Sequence, residues 1–164
     1  MRHIINLEVE NSAGVMARIV GLFSARGYNI ESIVAGKAIE ECTARITLVV
    51  IGDDRIIEQV NKQLNKLIDV IRVTDVTRED FVNRELLLVK IHCQPARRTE
   101  ASLVGNIFSA KVVDISAKSL TFELAGSESK VAAFLQTLRP FGLKEVARTG
   151  PIAMVRDFNP KSSE

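Results

Sequence analysis

Residues 3–9 alternate, with Ile5, Leu7 and Val9 on one side and Ile4, Asn6 and Glu8 on the other. A period of two predicts a strand with one face on a core. After the turn residues at 11–14, Met16, Ile19, Val20 and Phe23 recur at helical spacing, and Arg26-Gly27 closes the segment, predicting a helix. Residues 30–38 and 43–51 are β-rich and predict two strands, with Glu40-Glu41 as the polar tip between them. Asp53 or Asp54 then offers an N-cap to a helix whose Ile56, Val60, Leu64 and Leu67 form one stripe, with Lys62 and Lys66 solvated opposite. Residues 70–76 complete the set as a fourth strand.

The same order then recurs. Residues 77–84 interrupt the pattern with charge and predict a short connector. Beyond them Leu87, Val89, Ile91 and Cys93 alternate on a strand, Ala101, Val104, Ile107 and Phe108 mark a helix, and 111–117 pairs with 119–125 across a tight turn. Ser127 caps a last helix carrying Val131, Phe134, Leu135 and Leu138, which Pro140 stops before a strand at 143–148. Strand, helix, strand, strand, helix, strand, read twice, predicts an α+β protein of two consecutive ferredoxin-like βαββαβ domains. The expected division is 1–76, a connector at 77–84, and 85–164.

Composition narrows the class of function. The chain has 164 residues, 46% hydrophobic and 26% charged, as expected of an ordinary globular protein. Halves of about 80 residues are each marginal alone, so mutual packing or oligomerisation is expected. A net charge of +2 gives no electrostatic reason for nucleic acid or an anionic membrane as partner. Two isolated cysteines, Cys42 and Cys93, do not make a disulfide framework, and a reducing compartment is expected. No apolar run approaches the roughly 20 residues that span a bilayer, and no export signal is apparent, so the expected location is the cytoplasm.

The turn at 11–14 is the segment with candidate chemistry. A helix N-terminus offers unpaired N–H groups and a positive dipole end to a carboxylate. Gly14 lets a ligand approach the backbone, and the Asn11 amide both donates and accepts, which together suit a zwitterion. Asn and Gly before a helix are equally ordinary capping and turn residues, and Asn29 after Gly27-Tyr28 is an ordinary turn residue. His92 and Cys93 are adjacent and point to opposite faces of a strand, so they do not chelate together, and no metal site or Cys/His catalytic pair is expected. No phosphate-binding loop of the Lys-Ser/Thr type is present. RNA binding by sheet aromatics ranks low, because Phe23, Phe108 and Phe134 sit on apolar helical stripes. Arg97-Arg98 is read as a solvated loop or helix entry.

The run Asn11-Ser12-Ala13-Gly14-Val15-Met16-Ala17-Arg18, followed by residues 21–32, resembles the start of acetolactate synthase small subunits. Residues 63–70, 84–90 and 145–150 resemble the same family, so the likeness covers nearly the whole chain. The resemblance implies that the first half is an amino-acid-binding ACT domain and that the chain is a non-catalytic regulatory subunit. It implies valine as effector, held by Asn11, Ala13, Gly14 and Val15, with Asn29 and Ile30 reaching the loop from a neighbouring subunit. It further implies a homodimer through ACT domains and a large catalytic partner that the chain activates and makes sensitive to valine. Thiamine diphosphate, magnesium and FAD are expected on that partner and no cofactor on this chain. Residues 34–42 depart from the family pattern, which leaves the choice among valine, leucine and isoleucine open. The runner-up reading is an ACT-type amino-acid sensor serving another enzyme.

Overall fold

The computed structural model describes residues 1–157, which divide into two compact units, Met1–Val82 with the segment from Ile152, and Asn83–Pro151. The first unit contains β1 (Arg2–Glu10), α1 (Val15–Ala25), β2 (Asn29–Lys37), β3 (Thr43–Ile51), α2 (Asp54–Leu64) and β4 (Val70–Asp75). Its sheet has the order β2-β3-β1-β4, antiparallel throughout. Ile5, Leu7 and Val9 of β1 pack with Val15, Ile19 and Phe23 of α1 and Ile57, Val60 and Leu64 of α2, so both helices cover one face. The Asp53 carboxylate caps α2 by accepting from the Ile56 N–H at 2.8 Å, satisfying one of the orphan amides of its first turn. Met16 and Val20, expected on the buried stripe of α1, are each 37% exposed, because Val15, Ile19 and Phe23 take the inner line at spacings of four.

The second unit contains most of β5 (Phe81–His92), then α3 (Arg98–Ile107), β6 (Lys111–Ile115), β7 (Ser119–Gly126), α4 (Glu128–Leu138) and β8 (Leu143–Arg148). Its strands run β6-β7-β5-β8. Leu87, Val89 and Ile91 meet Leu120, Phe122 and Leu124 and the α4 residues Val131, Phe134 and Leu138 in a separate core, where the Phe122 and Phe134 rings pack edge-on at 5.6 Å. Ser127 caps α4 by accepting from the Lys130 N–H. Cys93 is buried and His92 exposed, on opposite faces as the alternation requires. Ile107 departs from the expected stripe and lies outward, while Gly105 faces the core, where a Cβ would come within 2.5 Å of the Phe122 ring.

Two boundaries differ from the expected ones. Only the first half of the connector at 77–84 is a turn: Thr77 is pinned to β1, its hydroxyl accepting from the Ile4 N–H at 2.9 Å, and β5 has begun by Phe81. Residues 152–157, expected within the second domain, group with the first unit, and Ile152–Val155 form β9. The physical reason lies on the far face of the first sheet. Ile4, Val49 and Val76 need an apolar cover there, and Ala153 supplies part of it. The buried Asn6 amide also needs partners: its Nδ2 donates to the Ala153 carbonyl at 3.0 Å, and its Oδ1 accepts from the Thr47 hydroxyl at 2.9 Å.

Asn6→Ala strips both partners from buried polar groups. The expected cost is about 1–3 kcal/mol, read as a lower urea midpoint with an unchanged slope; an unshifted midpoint would show that water replaces the amide without loss.

Candidate functional site

The turn between β1 and α1 is anchored on both sides by backbone bonds. The Glu10 N–H donates to the Asp69 carbonyl at 2.9 Å, and the Asn11 N–H donates to the Cys42 carbonyl at 2.6 Å. Ser12 and Ala13 turn the chain, and Gly14 begins the helix in the left-handed region, with φ of 87°. A side chain at that φ is strained, which is why glycine stands there. No side chain caps α1. The Val15 N–H reaches back to the Ser12 carbonyl, and the geometry of a helix start leaves the Met16 and Ala17 amides without carbonyl partners. Residues 11–14 are exposed, while the Val15 side chain is buried in the core, so Val15 offers a ligand only its backbone.

Two charged residues that sequence reasoning did not single out complete this end of the sheet. Arg18 lies one turn into α1, its N–H donating to the Gly14 carbonyl at 3.0 Å. Its Nε donates to the buried Asp69 carboxylate at 2.7 Å, which turns the guanidinium over the glycine: a Cβ on Gly14 would lie 3.0 Å from Arg18 Nη1. The site therefore has a fixed, half-exposed cation beside free helix amides, an arrangement that favours a carboxylate. Arg18 stands within the motif that marks the turn, but its ion pair is with a residue 51 positions away. No local pattern announces such a partner.

Asn29 and Ile30 are elsewhere. Asn29 begins β2 opposite Ile51, which in turn lies opposite Arg2 at the start of β1, whereas the turn at 11–14 follows Glu10 at the other end. Eight strand residues separate the two ends, about 26 Å at 3.3 Å per residue. Asn29 is exposed, and Ile30 packs against the core of the first unit. One protomer thus brings Asn11, Ala13, Gly14 and the Val15 backbone together and holds Asn29 and Ile30 apart from them.

Other parts of the molecule offer less. A groove of about 820 Å³ on the far face of the first sheet, lined by residues including Glu8, Arg45, Arg72 and Met154, contains none of the expected site residues. His3 is buried, its ring nitrogens 3.8 and 3.9 Å from carboxylate oxygens of Asp75 and Asp54, and among the described residues no three His, Cys, Asp or Glu side chains gather as a metal site. Arg97 and Arg98 stand at a helix entry: Arg97 pairs with Glu100 and lies 4.2 Å over the Phe141 ring, and Arg98 donates to the Ser116 carbonyl.

Comparison with known proteins covers both units. A family model described as the small subunit of acetolactate synthase matches residues 84–157, and one described as an AHAS small subunit-like ACT domain matches residues 5–72. A probable acetolactate synthase small subunit of Archaeoglobus fulgidus is 49% identical over 156 residues, covering 95% of this chain and 98% of its own. The acetolactate synthase small subunit of Bacillus subtilis is 44% identical over 164 residues, covering 99% and 95%. The crystal structure of the acetolactate synthase small subunit from Thermotoga maritima superposes with a TM-score of 0.89 at 37% identity, over 97% of this chain and 99% of that one.

Gly14→Asp places a β-carbon at a left-handed position and a carboxylate beside Arg18. The strain is expected to cost about 1 kcal/mol, with the fold retained, as measured by urea denaturation and circular dichroism. A loss of several kcal/mol or of secondary structure would show that the turn is needed for folding rather than for a ligand.

Proposed function

The chain belongs to the acetolactate synthase small-subunit family, and from that membership and the geometry of the β1–α1 turn we propose that it is the valine-sensing, activating subunit of that synthase. It carries out no chemistry itself. The large catalytic subunit holds the thiamine diphosphate, magnesium and FAD, and this chain sets that partner's activity according to the amino acid it has bound. The bound valine offers its carboxylate to the Met16 and Ala17 amides and the Arg18 guanidinium. The Asn11 and Asn29 side-chain carbonyls accept from its ammonium, and its branched side chain lies along Ala13 and Ile30.

The observation that carries this reading is the separation of about 26 Å between the two groups of residues, many times the length of a free amino acid. A complete site therefore takes two protomers. Antiparallel pairing of ACT domains edge to edge reverses direction between copies, so the Asn29 end of one meets the Gly14 end of the other. The same two-fold axis creates a second, equivalent site. Binding at such an interface biases how the two domains sit together, and by linkage it alters the catalytic partner by the same coupling free energy, typically about 1–3 kcal/mol.

Calorimetry on the full chain tests both parts. Wild type binds valine, Gly14→Asp loses at least about tenfold in affinity because its own carboxylate occupies Arg18, and the variant still raises the rate of the catalytic subunit while ignoring valine. Asn11→Ala and Asn29→Ala each bind poorly alone. Mixed in equal amounts they recover about a quarter of the sites, since half of the random dimers carry one intact site of two. A mixture no better than its parts would mean that the residues do not meet across an interface.

A further inference from the structure

β6 is an edge strand of the second unit, bonded to β7 on one side only, and all five of its residues are exposed. Such an edge presents a row of unpaired N–H and C=O groups to any strand of suitable pattern. The register against β7 fixes the direction of its side chains. Lys111 lies opposite Glu123 and Asp114 opposite Thr121, two residues that share one face of β7, while Val112 lies opposite the core residue Phe122. Lys111 and Asp114 therefore both face away from the helices.

In a regular strand, residues three apart point to opposite faces. Here a bulge between Val112 and Asp114 inserts Val113 and brings the lysine and the aspartate to the same side. The segment Lys111-Val112-Val113-Asp114 then becomes its own complement. Set antiparallel about a two-fold axis between the valines, two such segments place Lys111 against Asp114 of the second copy, twice, and Val112 against Val113 of the second copy. Among the described residues neither Lys111 nor Asp114 has an ion-pair partner within its own chain.

Apolar surface flanks this edge on its helix side. Val112 and Ile115, opposite the core residues Phe122 and Leu120, are 39% and 60% exposed, and on α3, which packs beside β6, Leu103 and Ile107 form an outward stripe exposed by 60% and 78%. The other edge of this sheet has no such complement. In β8, Glu145 is held by Lys90 at 3.2 Å and Arg148 by the buried Glu85 at 2.6 Å.

We propose that β6 pairs antiparallel with β6 of a second copy of this chain, joining two sheets into one, with Lys111 and Asp114 setting the register and the valines and the α3 stripe closing the apolar side. This contact lies wholly in the second unit and does not depend on the amino-acid site. A lysine on an edge ordinarily repels strands; an aspartate on the same face, three residues on, turns that repulsion into a specific self-match.

Disulfide trapping in the full chain reads this contact whatever other interfaces form. Chains bearing Val112→Cys and Val113→Cys, each with the exposed Cys42 replaced by Ser, are mixed and oxidised. Opposed strand residues have Cα atoms about 4.5–5.5 Å apart, within disulfide range, so the crossed dimer is expected as the main product. Adding Lys111→Asp or Asp114→Lys to both chains sets like charges face to face and slows trapping by about tenfold or more, and adding both together restores the original rate. No crossed dimer, a rate indifferent to the single charge changes, or a double swap that fails to rescue would each overturn the pairing.

Discussion

A sheet that buries one face under helices must still dispose of its other face and of its edges, and that constraint shapes this chain throughout. In β1 the residues at 5, 7 and 9 are consumed by α1 and α2, which leaves 4, 6 and 8 on the far side with two large apolar or amide groups to hide. The chain solves this by laying residues Ile152–Val155 on that face of the first unit. β9 brings a carbonyl to Asn6 and a methyl to Ile4 and Val49. An asparagine at that position would be costly in an open sheet core and is well suited to a face closed by another backbone, because its amide can be satisfied from both sides.

The same economy governs the turn at Gly14. Because the chain must pass from β1 into α1 within four residues, it uses a left-handed glycine, and that conformation leaves the first helical amides uncapped and open. Arg18 and Asp69 then fix a cation over the opening. The features that end the strand and start the helix are thus the features suited to a carboxylate. Asn29 and Ile30 are kept away from this turn by the length of the strands themselves. If the proposed reading holds, no single chain carries a complete pocket, and the ligand reports on the pairing of chains.

The order of elements, both helix caps and the class of fold were legible in the sequence, because they rest on local signals: a period of two in β1, an aspartate before α2, a serine before α4. What was not legible depends on partners distant in sequence. β9 is four residues without strong alternation, and its existence follows from Asn6, 147 residues earlier. Met16, Val20 and Ile107 fit an apolar stripe by spacing, yet the face each helix turns to its sheet is centred elsewhere, on Val15, Ile19 and Phe23 in α1 and on Ala101 and Gly105 in α3. At the candidate site, Asn11 and Gly14 could be picked out by residue type, while Arg18 could not, since its position is set by Asp69. That Asn29 lies at the far end of the sheet from Gly14 follows from register, which no single strand reveals.

Edges remain as the feature common to both units. The first sheet ends at β2 and β4, the second at β6 and β8, and the described residues cover none of these four strands with another strand of the same chain on the outer side. An open edge is a hazard unless its pattern admits few partners, and the simplest restricted partner is an identical strand about a two-fold axis, where every mismatch is doubled and so is every match. In β6 a single inserted residue makes the difference between a charge pattern that repels its own copy and one that accepts it. Where a chain self-associates through backbone edges, its affinity for itself is tuned by such bulges and paired charges more than by its core, and an effector lodged between copies needs only a modest differential affinity to shift the arrangement.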